Sequence, residues 1–203
     1  GVEGCGKSTQ VARLRDYLET EGYSVLVTRE PGGTPIAEAI RDILLDPDND
    51  AMGPTAELLL YEAARAQHMH EKIVPALNAG QIVICDRFAD STTAYQGAGR
   101  GFDHQLLHDM HQVATGGVWP DLTLLLDLAA EAGLARARVR GRQDRIERET
   151  ITFHERVRDG FLALAREEPD RIATIDGSAP IDVVAKAVTD RVQRCLDARN
   201  RVE

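Results

Sequence analysis

Hydrophobic positions along the chain alternate between a helical spacing of three to four residues and short unbroken apolar runs. Val11, Leu14 and Leu18 share one face and predict a helix over residues 7–21 that ends at Gly22. Apolar runs predict strands at residues 23–28, 82–85, 122–128 and 172–175. Further helices are predicted at residues 34–44, 55–79, 91–95, 103–115, 130–140, 150–167 and 180–198. The pattern therefore predicts regular alternation of strands and helices.

Two local signals refine the helix boundaries. Thr34 followed by Pro35 is typical of a helix start, because threonine caps the first turn and proline fits its first position. Pro75 lies inside the long predicted helix 55–79 and should kink or split it. Glycines at positions 97, 99 and 101 predict a turn after the short helix.

Strands that are apolar throughout and separated by helices are typical of a parallel sheet covered by helices on both faces. We therefore predict a three-layer α/β fold and a single domain spanning residues 1–203. The chain opens at Gly1 inside a motif. For this reason we expect a further short apolar strand, the first of five, to precede it.

Composition and charge exclude several classes of protein. The net charge of −9 and the pI of about 5.2 argue against nonspecific binding of nucleic acid. No apolar run approaches the roughly 20 residues that a membrane helix needs. The three cysteines have no paired spacing, which fits a reduced, cytoplasmic setting. A local basic pocket for a small anionic substrate remains compatible with this balance.

A phosphate-binding loop occupies the first eight residues. The pattern G-x-x-x-x-G-K-[ST] is matched by Gly1, Val2, Glu3, Gly4, Cys5, Gly6, Lys7 and Ser8. Glycines let backbone N–H groups surround a phosphate, and the N-terminus of the following helix adds positive potential. Lys7 is expected to reach the β- and γ-phosphates of a nucleotide, and the Ser8 hydroxyl to ligate Mg²⁺. This motif alone does not separate ATPases, GTPases and kinases, although no Asn/Thr-Lys-x-Asp pattern for guanine is present.

Three other segments carry candidate chemistry. Tyr61 and Arg65 are four residues apart and share a helix face. Asp86 ends a buried strand, where it can hold Mg²⁺ through water, and Arg87 follows it as a bidentate anion ligand. Residues 141–150 are rich in arginine and are predicted to form a mobile lid.

These segments together resemble bacterial thymidylate kinases over nearly the whole chain, from Gly1 to about Leu196. The resemblance implies a P-loop NTPase fold with five parallel strands in the order 2-3-1-4-5. It also implies ATP and Mg²⁺ as cofactors, direct in-line phosphoryl transfer to dTMP, and a homodimer.

Roles for the acceptor site follow from the same resemblance. Glu30 and Arg41 belong to the monophosphate site, where Arg41 and Arg87 contact the acceptor phosphate. Tyr61 stands where the family usually has Phe; its ring stacks on thymine, and Arg65 bonds the exocyclic oxygen. The remaining substrate residues are implied to be Ser91, Thr92 and Gln96 near the base, and Tyr95 and Glu3 near the sugar, with Tyr95 excluding a 2′-hydroxyl.

The lid carries the last implied role. In related kinases whose phosphate loop lacks an arginine, the lid supplies the arginine that stabilises the transferring group. Residues 3–6 contain no arginine, so Arg145 is the predicted catalytic lid residue, with Arg142 or Arg148 sharing the task.

Two alternatives stay open at this point. The first is another monophosphate or deoxynucleoside kinase of similar fold, against which the predicted thymine readers Tyr61, Arg65 and Gln96 argue. The second is a nucleotide-binding module without turnover. Such a module would have lost the acceptor or lid arginines, whereas this chain retains them.

Overall fold

In a computed structural model, which describes residues 1–139 and 143–199, helices and strands alternate along the chain. The strands are β1 (Val25–Arg29), β2 (Ile82–Asp86), β3 (Thr123–Asp127) and β4 (Ile172–Asp176). The helices are α1 (Lys7–Thr20), α2 (Pro35–Leu45), α3 (Pro54–His68), α4 (Val74–Asn78), α5 (Ala89–Thr92), α6 (His104–Thr115), α7 (Ala130–Arg138), α8 (Ile151–Glu167) and α9 (Ile181–Arg199). Two π-helical segments, Met69–Ile73 and Thr93–Gly99, continue α3 and α5. The predicted alternation of strands and helices is confirmed.

The strands form two parallel pairs. Strand β1 pairs with β2, from Val25 opposite Ile82 to Arg29 opposite Asp86. Strand β3 pairs with β4, from Thr123 opposite Ile172 to Asp127 opposite Asp176. These correspond to neighbours 2-3 and 4-5 of the predicted order, but the described strands do not form one five-stranded sheet, so that order is not confirmed.

The phosphate loop begins between the two strand pairs. The Gly1 carbonyl accepts a hydrogen bond from Arg87 Nη1 at 3.4 Å, just beyond the carboxyl end of β2. On its other side Gly1 lies directly against the backbone of Leu126 in β3, with no room for a β-carbon. Parallel strands bring their carboxyl ends to one edge, so the loop and the residues after β1 and β2 meet there.

Two of the three local signals in the sequence are confirmed, and the predicted glycine turn is the exception. Thr34 Oγ1 accepts from the Ala37 N–H at 3.4 Å and Pro35 begins α2, as predicted. The long helix is split just before Pro75, where a π-helical turn separates α3 from α4. The predicted glycine turn is partly wrong, because Gly97 and Gly99 lie within the second π-helical segment. Gly99 is packed against the Phe153 ring, which leaves no space for a side chain there.

Helix α8 packs against the second π-helical segment. Phe153, Val157 and Phe161 of α8 are buried in one cluster with Ala94 and Tyr95. Burial of a large apolar side chain contributes about 1.5–3 kcal/mol, so this contact is a major source of stability. Tyr95, which the sequence analysis assigned to the substrate site, belongs to the same cluster. Packing of α8 therefore also fixes the position of Tyr95. Among the described helices, none combines the length and the apolar character needed to cross a membrane.

Candidate active site

The phosphate loop adopts a conformation that requires its glycines. Gly4 has φ 68° and Gly6 has φ 97°, both in the left-handed region that disfavours other residues. Gly4 also lies against the backbone of Gly133 in α7. Helix α1 starts at Lys7, whose Nζ donates to the carbonyls of Gly1 at 3.1 Å and Val2 at 2.9 Å. Backbone donors and an ammonium group therefore converge where an anion would bind.

An ionic cluster joins the loop to the end of β2. Glu3 Oε1 accepts from Arg87 Nη2 at 2.9 Å and from the Tyr95 hydroxyl at 2.5 Å. Burial alone would raise the pKa of Glu3, but the charge of Arg87 holds it well below its usual range. The Arg87 guanidinium also lies over the Tyr95 ring, 5.1 Å from its centroid. The backbone of Arg87 has φ 72°, a strained conformation of the kind that collects at functional sites.

The predicted base-reading arginine is held by hydrogen bonds from all three of its guanidinium nitrogens. Arg65 donates from Nε to Glu30 at 3.0 Å, from Nη1 to Glu62 at 2.6 Å, and from Nη2 to Thr92 at 2.9 Å. It is almost wholly buried. Burial lowers the pKa of the guanidinium, but the charges of Glu30 and Glu62 raise it on balance. The planar Arg65 guanidinium is thus fixed in place and stays positively charged.

The residues around Glu3 and Arg87 and those around Arg65 line one common cavity. It has a volume of about 270 Å³ and is bounded by α1, the segment after β1, α3 and the second π-helical segment. All the predicted substrate-binding residues line it: Glu3, Glu30, Arg41, Tyr61, Arg65, Arg87, Ser91, Thr92, Tyr95 and Gln96. From the phosphate loop, Gly4, Gly6, Lys7 and Ser8 line it as well. Of the other loop residues, Val2 and Cys5 are buried.

Arg41 and Tyr61 line this cavity from the neighbouring helices α2 and α3. Arg41 in α2 donates from Nη1 to the Pro31 carbonyl at 2.8 Å. Tyr61 is on α3, one turn before Arg65. Burial raises the pKa of the Tyr61 hydroxyl above its usual value, so the group is neutral at physiological pH. A flat ring and a cation thus line the same cavity.

The predicted metal ligands fit a hard divalent cation. Ser8 and Asp86 both line a second cavity of about 620 Å³ beside the phosphate loop. Asp86 Oδ1 is buried with no hydrogen-bond partner among the described residues. An unpaired buried carboxylate oxygen is costly unless a cation or water satisfies it. A hydroxyl and a carboxylate are also the oxygen donors that Mg²⁺ prefers.

The predicted lid arginine, Arg145, is held by residues of α2 and α3. Arg145 Nη1 lies 2.6 Å from Glu57 Oε2, and Arg145 Nε donates to the Leu44 carbonyl at 2.8 Å. Arg145 itself does not line the active-site cavity, although its neighbours Asp144 and Ile146 do. Arg142, the other predicted lid residue at the nucleotide, lies outside the described residues.

Sequence reasoning missed several residues that support the site. The buried carboxylates Glu57 and Glu62 both lie on α3, four residues before and one residue after Tyr61. Helical spacing offered a usable signal, since Glu62 is three residues from Arg65 and could pair with it. No such local signal existed for His154, which is fully buried with Nδ1 3.4 Å from Glu3 Oε2.

Comparisons with known proteins agree with this geometry. The Thymidylate kinase family model matches residues 1–188. The thymidylate kinase of Geobacter sulfurreducens is 55% identical over 196 residues, covering 94% of this chain and 92% of that protein. That of Trichlorobacter lovleyi is 52% identical over 198 residues, covering 95% and 93%. The crystal structure of thymidylate kinase from Ehrlichia chaffeensis superposes with a TM-score of 0.77 at 35% identity, covering 95% of this chain and 94% of that one. The chain has the P-loop NTPase fold and belongs to the thymidylate kinase family.

Proposed function

We propose that the chain transfers the γ-phosphoryl group of ATP to dTMP, producing dTDP and ADP in a step of dTTP biosynthesis. The observation that carries this proposal is the single cavity in which the phosphate loop faces Tyr61 and Arg65. A kinase must bring two anions together, and the presence of Lys7, Arg41 and Arg87 in the lining of this cavity supports that role. Membership of the thymidylate kinase family supports dTMP as the acceptor.

In the proposed reaction, an oxygen of the dTMP phosphate attacks the γ-phosphorus in line and the bond to the β-phosphate oxygen breaks. Positioning and charge neutralisation dominate such transfers. The loop amides and Lys7 hold the donor phosphates, while Arg41 and Arg87 aim the acceptor. A phosphomonoester with its second pKa around 6 is already a nucleophile at neutral pH, so no general base is required.

The nucleoside would be recognised by Tyr61, Arg65 and Tyr95, which line the same cavity. Thymine stacks on the Tyr61 ring, and Arg65 donates to its exocyclic oxygen. Tyr95 packs beneath the sugar and leaves no space for a 2′-hydroxyl. Its hydrogen bond to Glu3 fixes the ring, which supports this role.

Magnesium would be held by Ser8 and, through water, by Asp86. When bound, it would neutralise charge on the β- and γ-phosphates of ATP. The orphaned Oδ1 of Asp86 supports this assignment.

We assign the lid to residues 141–150 and the stabilisation of the transferring group to one of its arginines. Arg145 would have to leave Glu57 before it reached the phosphates. Arg100 holds the same carboxylate with two hydrogen bonds, which would keep Glu57 paired after Arg145 had left. Closure of the lid would exclude water and so limit hydrolysis of ATP.

Two finer structural assignments belong to the same proposal. A strand leading into Gly1 would lie between β2 and β3 and would complete the order 2-3-1-4-5; the position of Gly1 between the two pairs supports it. We also propose a cytoplasmic homodimer. Exposed apolar side chains on the adjoining helices α3 and α6, Leu59, Leu106 and Val113, support an interface there.

Light scattering on a size-exclusion column tests the dimer, with mass of two chains as the expected result. Replacing Leu59 and Val113 by Lys is expected to shift the mass to one chain. The matched control is Val183→Lys on α9, which is similarly exposed but lies on another surface. A wild-type mass of one chain at micromolar concentration would reject the dimer.

The activity is tested by ADP release with Mg·ATP and each of dTMP, dUMP, ribo-TMP, dCMP, AMP and GMP. Strong stimulation by dTMP is expected, with weak or no stimulation by ribo-TMP and the purines. Lys7→Ala serves as the negative control, because it removes the cation from the phosphate loop. ATP binding without stimulation by dTMP would reject the kinase assignment in favour of a nucleotide-binding module.

A further inference from the structure

Glu57 is a carboxylate buried in α3 that the proposed reaction does not use. Its side chain is 1% exposed, and it lies one helical turn before Tyr61. A buried charge is strongly unfavourable unless it is paired and hydrogen-bonded. The partners of Glu57 therefore indicate why the chain keeps it there.

The Glu57 carboxylate accepts three hydrogen bonds and forms a further ion pair. Oε1 accepts from Gln96 Nε2 at 2.8 Å and from Arg100 Nε at 3.1 Å. Oε2 accepts from Arg100 Nη2 at 3.0 Å and pairs with Arg145 Nη1 at 2.6 Å. Burial would raise the pKa of Glu57, but the bonds from Arg100 and Gln96 lower it on balance. The group is ionised at neutral pH and can only accept hydrogen bonds.

This property determines which way the Gln96 amide points. An amide has a donor end and an acceptor end of nearly the same shape, so its neighbours decide its orientation. Because ionised Glu57 has no proton to donate, the NH₂ group of Gln96 must face it. Gln96 is buried and lines the active-site cavity, so its carbonyl oxygen is the end left for a ligand.

We propose that Glu57 is a positioning residue for base specificity: it orients Gln96 so that Oε1 accepts the N3–H of a 4-oxo pyrimidine. This inference rests on the proposed kinase function and deepens it. Thymine and uracil carry a hydrogen on N3, whereas cytosine presents a lone pair there, which Oε1 would repel. Glu57 itself touches no substrate and acts through Gln96.

The substitution Glu57→Gln should reverse the orientation. The new side chain has one acceptor end, which Arg100 Nη2 and Arg145 Nη1 would take in place of Oε2. Its donor end would face Gln96 in place of Oε1, and Arg100 Nε would lose its acceptor there. Gln96 would then turn its oxygen toward position 57 and its NH₂ group toward the cavity. That arrangement suits the N3 lone pair of cytosine and opposes the N3–H of thymine.

The test compares kcat/KM for dTMP, dUMP and dCMP in the wild type and in Glu57→Gln. The ratio of dTMP to dCMP is expected to fall at least about tenfold, the effect of one mismatched hydrogen bond in a buried site. The ratio of dTMP to dUMP is expected to stay the same within about twofold, because both bases present N3–H. This second ratio separates a change in base reading from a general loss of activity.

A matched control tests whether loss of any buried ion pair has the same effect. Asp90 accepts two hydrogen bonds from Arg171 and is similarly buried, but it does not line the cavity. Asp90→Asn is expected to lower thermal stability and to leave both ratios unchanged. If Glu57→Gln does not fold, Glu57→Asp retains the charge but falls short of Gln96, and it should lower the ratio of dTMP to dCMP in the same direction.

A folded Glu57 variant with an unchanged ratio of dTMP to dCMP would overturn the inference and leave Glu57 a structural residue. Failure of the wild type to phosphorylate dTMP would instead reject the proposed function. The two failures are distinguishable because the first is measured only in an active enzyme.

Discussion

At the scale of single residues, the two arginines assigned to the acceptor phosphate differ in how they are held. Arg87 pairs with Glu3, lies over the Tyr95 ring and has a left-handed backbone. Within the described ranges, the hydrogen bond of Arg41 runs from Nη1 to the Pro31 carbonyl. Arg87 therefore supports the site as well as the substrate, whereas the effect of replacing Arg41 should be confined to substrate binding.

Arg41→Ala is expected to raise the KM for dTMP about 10- to 100-fold, the loss of a charge-assisted contact to phosphate. The melting temperature should change little, because the side chain is not part of a buried ion pair in the described structure. Steady-state kinetics at saturating ATP measure the effect. Arg13→Ala, which removes an exposed arginine on α1, is the control. An unchanged KM in Arg41→Ala would place the acceptor phosphate elsewhere.

At the scale of elements, α8 approaches the second π-helical segment closely. A β-carbon on Gly160 would lie 2.6 Å from Cβ of Ala98 and 3.4 Å from Cα of Ala94. Real β-carbons do not approach each other so closely, so α8 would have to move away. Tyr95 lies between these two alanines in sequence and packs against Phe153 and Phe161 of α8. The close approach of the two elements therefore bears directly on the sugar-binding side of the site.

Gly160→Ala is expected to destabilise the protein, although alanine in a helix interior usually stabilises by about 1 kcal/mol relative to glycine. Overpacking costs about 1–3 kcal/mol, and the 2.6 Å approach places this site at the upper end of that range, so the clash should prevail. Calorimetry should record a melting temperature lower by about 2–8 °C. The double variant Gly160→Ala with Ala98→Gly removes the clash and should recover most of the loss. Stabilisation by Gly160→Ala alone would contradict the packing argument.

At the scale of the whole molecule, buried carboxylates couple stability to pH. Glu3, Glu57 and Glu62 each lie next to an arginine that counteracts the effect of burial, and each has a pKa below the ordinary value of 4.5. In the unfolded chain these groups take up protons at a higher pH than in the folded one. Their contribution is therefore fully present above pH 4.5 and is lost as the pH falls below it.

Urea unfolding measured from pH 7 to pH 3 should show this loss. Through these three groups the free energy of unfolding is expected to change little with pH above about pH 5 and to fall steeply below about pH 4.5. Glu62→Gln removes one of them and should make the acid-side slope shallower. Asp182→Asn, an exposed residue, should leave the slope unchanged. A slope identical in wild type and Glu62→Gln would show that Glu62 does not titrate with unfolding.

Local features of the sequence determined the elements and the donor side of the site. The pattern G-x-x-x-x-G-K-[ST] fixes its own conformation, because Gly4 and Gly6 supply backbone angles that other residues avoid. Thr34 and Pro35 likewise set the start of α2 from adjacent atoms alone. Resemblance to a known family added the acceptor residues, and all ten of them line one cavity.

Only the tertiary structure decided how distant side chains share their partners. Glu57 meets Gln96, Arg100 and Arg145 across separations of 39, 43 and 88 residues, and no local pattern encodes such contacts. Family resemblance assigned Arg145 to the phosphates, whereas its pairing with Glu57 is visible only in the folded chain. Periodicity depends on neighbours in the chain and so predicts helices and strands, while buried charge pairing depends on which elements the packed core brings together.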